Sequence, residues 1–324
     1  MRTARPDSGP WHRLGGLLLG LAAAAGVTGH PGAHAVRVGA AAVGAPQTTF
    51  TSDTDLVVLH VNVFDARSDA VPDLAQSAFQ VFEEGERQEI TFFSSADVPI
   101  AIGLVLDGSA SMITRRSLVV AGAEGFIRAS RPDDELFTVY FNEHVRFGLP
   151  PTVAFTGQST LLRAAISHYR AGGMTALYDA VIAGLDHLER ATHQKRVLVV
   201  LSDGEDNASR HTQTELLDRV RRSDALVYTV SNANRRTGLD ADPRLLRRLA
   251  DAGGGVAYFP DSDEEVVDRL DVIAANVRRG YLIGYVPRSG AHDGTFRRIR
   301  VAVQAPGRAR LTVRSREGYV AHAH

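Results

Sequence analysis

Between Leu56 and Phe64 apolar and polar residues alternate, with Val57, Leu59, Val61 and Val63 on one face and His60 and Asn62 on the other. This period of two predicts a half-buried strand. The run FQVFEEGERQEITFF at 79–93 predicts two more short strands around the polar turn Glu84-Gly85-Glu86. From Ala101 to Leu106 the pattern becomes a continuous apolar run, as expected of a strand buried on both faces. A helix is expected at 114–130, stopped by Arg131-Pro132, followed by a strand from Leu136 to Phe141 and its hairpin partner from Val145 to Leu149. Helical spacing recurs at 159–169 and 177–191, where Leu177, Val181, Leu185 and Leu188 mark one face. Arg196–Ser202 (RVLVVLS) is the next buried strand. A helix at 211–223, a strand at Ala225–Val230, a helix at 243–252, a strand at Val256–Phe259 and a helix at 263–279 complete the series. Past Arg279 the alternation returns at Tyr281–Val286, at Ile299, Val301 and Val303, and at Leu311 and Val313.

Short apolar strands alternating with amphipathic helices predict an α/β fold with a doubly wound, mostly parallel sheet. This α/β domain is assigned to 98–280. The β-rich stretches at 51–97 and 281–324 are each short for a core of their own. They are read as two parts of one smaller β domain interrupted by the α/β insertion, with two separate β appendages as the alternative.

Composition narrows the function. The chain has 324 residues and a net charge of −1, so no overall field draws it to nucleic acid or an anionic membrane. There are no cysteines, which excludes disulfides, thiolate nucleophiles and Cys-ligated zinc. Arg2, Arg5 and Arg13 precede an apolar Leu/Gly/Ala run from Leu14 to Val27, and Ala33-His34-Ala35 supplies a small-residue cleavage pattern. These predict a signal peptide at 1–35, a linker at 36–50 and export to the periplasm, cell surface or medium. The run is short for a spanning helix, and none is expected in the mature chain.

The candidate chemistry lies at strand ends. Asp107 directly follows the first buried strand of the α/β unit and opens Asp107-Gly108-Ser109-Ala110-Ser111. Asp203 directly follows the strand at 196–202. In a doubly wound sheet of order 3-2-1-4-5 those two strands are neighbours, and their C-terminal ends flank the ligand crevice. The loop Gly172-Gly173-Met174-Thr175 can add a third hydroxyl. All these donors are oxygens, which hard cations such as Mg²⁺ select. Two carboxylates with neutral hydroxyls leave such an ion short of negative charge and open to a carboxylate from outside.

The runs DGSASM, GGMTALYDA and LSDGEDN, in that order, resemble the metal-ion-dependent adhesion site (MIDAS) of von Willebrand factor type A (VWA) domains. The flanks VFEEGERQEITFF and GYLIGYVP, with DGTFRRIRV beyond, resemble those of bacterial secreted proteins carrying a domain related to it. The resemblance covers about residues 55–321. It implies a Rossmann-like fold and a metal site of Asp107, Ser109, Ser111, Thr175 and Asp203. It also implies Mg²⁺, or Mn²⁺ or Ca²⁺, as the ion, and a cell-adhesion or protein-binding role in which a partner's Asp or Glu completes the coordination.

No catalytic role is expected. Aspartate-nucleophile phosphatases need a second Asp two residues after the first, where this chain has Ser109. Gly108-Ser109-Ala110-Ser111-Met112 is not a nucleophile elbow, and no phosphate-binding glycine motif occurs. The alternatives are a structural envelope protein with a stabilising metal site and a Mg²⁺-dependent hydrolase. Blander roles compete at single residues. Ser109 or Ser111 could be a helix N-cap, Ser202-Asp203-Gly204 an ordinary turn, and Glu205 and Asp206 a solvated loop. Met112 and Leu177 read as core, Tyr178 and Asp179 as structural, and His187, His193 and His211 as surface histidines. Arg297, Arg298, Arg300, Arg308, Arg310 and Arg314 read as a solvated face, and Gly253-Gly254-Gly255 as a helix-to-strand turn.

Overall fold

The structure, a computed structural model, describes residues 56–66, 70–167, 169–231, 241–288, 293–308 and 310–321. The expected signal peptide and linker lie outside the described residues. Among those residues no helix is long and apolar enough to cross a membrane.

Six strands form the central sheet: β5 (Ile100–Asp107), β6 (Glu135–Phe141), β7 (Val145–Phe147), β8 (Lys195–Ser202), β9 (Leu226–Ser231) and β10 (Gly254–Tyr258). Their order is β10-β9-β8-β5-β6-β7. All neighbours run parallel except the β6–β7 hairpin. In chain order this is 3-2-1-4-5-6, so β5 and β8 are adjacent at the point where the winding reverses. Helices α1 (Arg116–Ala129), α2 (Ser159–Ser167) and α6 (Asp263–Asn276) pack one face, and α3 (Leu177–Leu188), α4 (Gln213–Arg222) and α5 (Pro243–Ala252) the other. Every residue of β5 is buried, because helices cover both faces. The expected helix at 114–130 begins late: Ala110–Arg115 is a 3₁₀ segment, and α-helix starts at Arg116.

The flanks form two antiparallel sheets. One has the order β13-β1-β11-β4, from β13 (Thr312–Arg314), β1 (Val57–Phe64), β11 (Tyr281–Tyr285) and β4 (Ile90–Ser94). The other has the order β14-β12-β2-β3, from β14 (Gly318–Val320), β12 (Phe296–Val303), β2 (Phe79–Glu83) and β3 (Glu86–Gln88). Leu59, Val61, Phe79, Val81, Tyr281, Ile283 and Val301 make a shared core. The Phe79 ring lies 5.4 Å from that of Phe93 and 4.7 Å from that of Tyr281.

Two sequence expectations are corrected here. The run 79–93 holds three strands, not two, because the chain leaves β3 in one sheet and starts β4 in the other within a single residue. Strand β1 is not half-buried: His60 and Asn62 are 4% and 2% exposed. Their face packs on the α/β unit, where His60 Nε2 donates to the Gln194 carbonyl (2.9 Å) and Asn62 Nδ2 donates to the Tyr228 hydroxyl (2.8 Å). Asp53–His324 forms one compact unit.

Candidate functional site

The site stands on the C-terminal ends of β5 and β8. Asp107 ends β5, is wholly buried, and has both carboxylate oxygens engaged. Its Oδ1 accepts from the Ser109 backbone N–H (2.9 Å) and its Oδ2 from the Ser202 hydroxyl (2.7 Å). Asp203 follows β8. Its Oδ2 accepts from the Ser111 hydroxyl (2.9 Å) and its Oδ1 from the Glu205 N–H (3.1 Å). The Ser109 and Ser111 hydroxyls lie 3.0 Å apart. One hydrogen-bonded chain therefore links the residues of the first motif to Asp203 across the two strands.

Thr175 is brought to the same end by backbone contacts. Ala110 N–H donates to the Gly173 carbonyl (3.0 Å) and Gly172 N–H to the Gly108 carbonyl (2.8 Å), which ties the glycine loop to the loop after β5. The Thr175 N–H donates to Asn207 Oδ1 (2.8 Å), and the Thr175 carbonyl accepts from the N–H groups of Asn207 and Ala208 (both 2.9 Å). Thr175 is 2% exposed. Two glycines make these turns workable. Gly173 has φ +93°, and an added Cβ would lie 1.9 Å from Glu143 Oε2. Gly204 has φ +91°, and its Cβ would lie 2.5 Å from the Asp242 carbonyl oxygen.

The electrostatics are one-sided. Burial, and next the charge of Asp203, push the Asp107 carboxyl up to about 6. Among the described residues neither carboxylate has a Lys, Arg or His ion-pair partner. Nor does any group of three or more His, Cys, Asp or Glu converge on a metal position among those residues. A cation held here would have to be coordinated largely by hydroxyls, and Ser109 and Ser111 supply two of them beside the carboxylates, with Thr175 on the adjoining loop. The donor set is all oxygen and fits a hard divalent ion.

Several supporting residues escaped the sequence reading. Ser202, read as the last residue of a buried strand, orients Asp107. The Tyr169 hydroxyl donates to the Asp107 carbonyl, and Asn207 positions Thr175. Asp206 is not part of a solvated loop: its Oδ2 accepts from the Tyr178 N–H (3.0 Å), bracing the start of α3, and from the Ser209 hydroxyl (2.6 Å). Asp179 is structural as expected, accepting from the N–H groups of Arg210 and His211. Ser109 sits where an N-cap would, but its side chain makes no capping bond. The Ser202-Asp203-Gly204 turn does form, with the Gly204 N–H donating to Ser202 Oγ (3.1 Å), and the same hydroxyl serves Asp107. His187 is not a surface histidine. It lies among the rings of Phe137, Phe147 and Phe155, at 4.4, 4.7 and 4.8 Å between centroids, and Nε2 bonds the Ala154 carbonyl. Along the basic C-terminal stretch, Arg297, Arg308 and Arg314 are ion-paired, and Arg300 lies 4.0 Å over the Phe82 ring.

Comparison with known proteins gives the following. No curated protein sequence matches the chain. Among solved structures, a von Willebrand factor type A protein from Catenulispora acidiphila is 15% identical, with a TM-score of 0.49, covering 84% of this chain and 75% of that one. The PilB minor pilin from Streptococcus sanguinis is 13% identical, with a TM-score of 0.46, covering 57% of this chain and 62% of the pilin, so the match spans less than two thirds of that protein. The vWF domain of the type V pili tip protein Mfa5 from Porphyromonas gingivalis is 10% identical, with a TM-score of 0.45, covering 56% of this chain and 96% of that one. The sequence profile of the von Willebrand factor type A domain matches residues 101–271. That span is more than half of the chain and contains all five residues singled out above, and the chain belongs to the von Willebrand factor type A domain family.

Proposed function

We propose that this chain is an exported, non-catalytic protein-binding module. In this reading Asp107, Ser109, Ser111, Thr175 and Asp203 hold one divalent cation, Mg²⁺ or else Mn²⁺ or Ca²⁺, and a partner's Asp or Glu completes its coordination. The observation that carries the reading is a pair of carboxylates, one wholly buried, without a basic ion-pair partner among the described residues and joined through Ser109 and Ser111: the Ser109 N–H donates to Asp107, the two serine hydroxyls lie 3.0 Å apart, and the Ser111 hydroxyl donates to Asp203. Such a pair disfavours full ionisation unless positive charge arrives. A bound divalent cation supplies that charge together with an exchangeable coordination position.

The chain's own residues set the terms. Ser202 and the Ser109 N–H fix the Asp107 carboxylate, and Asn207 fixes the Thr175 backbone, so the donors are held by a second layer of hydrogen bonds. The Ser109 and Ser111 hydroxyls lend lone pairs but no charge. The group carries at most two negative charges, and an acidic partner side chain adds the third. No Lys, His or Cys side chain is hydrogen-bonded to the five residues among the described residues, which supports a binding role over acid–base chemistry.

Calorimetric titration of Mg²⁺ and Mn²⁺ into the EDTA-stripped full chain tests this. One-to-one binding that is lost in Asp107→Ala and in Asp203→Ala is expected. Absence of binding to the unmodified chain would remove the mechanism.

A further inference from the structure

The exposed apolar side chains of this molecule are not scattered evenly. Among the described residues five large hydrophobic side chains stand well out of the surface: Ile113 (60% exposed), Met174 (54%), Phe147 (45%), Val286 (38%) and Phe296 (38%). The two most exposed lie in the two loops that carry the candidate metal hydroxyls. Ile113 follows Ser111 by two residues, and Met174 directly precedes Thr175. Met112, the neighbour of Ile113 in the same 3₁₀ segment, is buried, so the segment turns one side chain into the core and the next outward.

Both exposed residues sit on braced backbone. The loops are joined by the Ala110–Gly173 and Gly172–Gly108 hydrogen bonds, and the Met174 N–H donates to Glu143 Oε2 (3.1 Å). An apolar pair presented on fixed backbone loses little conformational entropy on binding, as the anchor positions of protein interfaces require.

Charge beside these loops indicates what would cover them. Arg116 Nε (3.1 Å) and Arg170 Nη1 (3.0 Å) both donate to the Tyr169 carbonyl, while the Tyr169 hydroxyl reaches the Asp107 carbonyl. Both arginines are exposed, and neither has a carboxylate partner among the described residues. One tyrosine thus anchors two guanidinium groups next to the site.

We infer that the partner's docking element is a short acidic peptide segment with a bulky apolar residue beside its metal-binding carboxylate, the apolar residue resting on Ile113 and Met174 and a second acidic residue facing Arg116 and Arg170. This rests on the metal-mediated reading above and adds the chemistry of the ligand's neighbours to it. Two apolar contacts and two unpaired cations favour a peptide over a bare anion or an acidic polysaccharide, which would leave Ile113 and Met174 uncovered.

The test begins with the Mg²⁺ titration, which judges the metal site alone; failure there overturns both readings. Given metal binding, the full chain is screened in Mg²⁺ against a displayed peptide library with one fixed Asp and random flanks, and bound clones are released with EDTA. Enrichment of Leu, Ile, Met or Phe within two positions of the Asp, with a second Asp or Glu, is expected. The Ile113→Ser/Met174→Ser variant should bind the best peptide about 10-fold or more weakly, the order of loss seen when interface anchors are truncated. Its Mg²⁺ affinity and melting temperature should be unchanged. Arg116→Gln/Arg170→Gln should weaken the same peptide and flatten its salt dependence. EDTA-released clones without an apolar preference, unchanged peptide affinity in the Ile113/Met174 variant, or binding of polygalacturonate with no peptide enriched would each overturn the inference while leaving the metal site standing.

Discussion

The α/β unit and the antiparallel sheets beside it both bury apolar strands, but they place buried polar groups differently. In the antiparallel part the buried Glu83, Gln88 and Asn62 each have a neutral hydrogen-bond partner. Glu83 Oε2 accepts from the hydroxyls of Tyr285 (2.7 Å) and Tyr319 (3.2 Å), Gln88 Oε1 accepts from the Arg288 N–H (3.2 Å), and Asn62 donates to Tyr228. In the α/β unit Asp134 is paired with Arg278, but Asp107, Ser109, Thr175, Ser202 and Asp203 gather at one end of one sheet, where among the described residues neither carboxylate has an ion-pair partner. Buried polarity that is closed on itself specifies packing, whereas buried charge left one-sided marks a place for a ligand.

The largest test of the contrast concerns the core of the antiparallel part. Phe79→Ala removes a side chain 3% exposed and should cost about 3–5 kcal/mol. Because Asp53–His324 is one compact unit, urea unfolding should remain a single transition at a lower midpoint. Two separated transitions would show that the regions unfold independently and break the comparison.

Next in size is a pH effect at the seam between them. Burial first, and Lys195 second, push the His60 imidazole from its ordinary 6.5 down to about 4; Arg316 adds to this, while Asp224 and the Gln194 carbonyl oppose it. The folded chain therefore keeps His60 neutral where the unfolded chain protonates it. Between pH 6.5 and 4 the unfolded state binds more protons, so this stability is present above 6.5 and lost as pH falls toward 4. The loss is on the order of 3 kcal/mol. Urea midpoints at pH 7.5 and 4.5 should converge in His60→Gln relative to the unmodified chain.

At the proposed metal site, Asp203→Ala should lower Mg²⁺ affinity about 100-fold or more and Ser202→Ala about 10-fold, as expected for a ligand and for the group that orients one. Calorimetry reads both, and Glu83→Gln in the antiparallel part should leave Mg²⁺ affinity unchanged. The smallest effect is Gly173→Ala. The positive φ and the contact with Glu143 should cost about 1–2 kcal/mol. The midpoint of urea unfolding would report it.

The sequence and the structure agree most closely where local pattern and topology suffice. Continuous apolar runs located β5 and β8, and the rule for doubly wound sheets put Asp107 and Asp203 side by side. Residues acting across long sequence separations were hidden. Ser202 looked like the end of a strand, and Tyr169 and Asn207 carry no motif, because their roles exist only once β5, β8 and the glycine loop meet. The alternation through Gln88, Glu89 and Ile90 could not reveal a change of sheet, since period two describes a face and not a partner. His60 and Asn62 read as solvent-facing for a related reason: alternation cannot tell water from the flank of another layer.

Strands β4 and β11 lie side by side, with Ser94 opposite Leu282, so the chain leaves for the α/β unit and returns from it at neighbouring points. Tension drawn between a point before β1 and a point after β14 then follows the antiparallel sheets and bypasses the insert. Such a force would load the β4–β11 ladder before it reaches the loops at the C-terminal ends of β5 and β8. A pull applied at those loops would reach the antiparallel sheets both through this ladder and through the seam where His60 bonds the Gln194 carbonyl and Asn62 the Tyr228 hydroxyl.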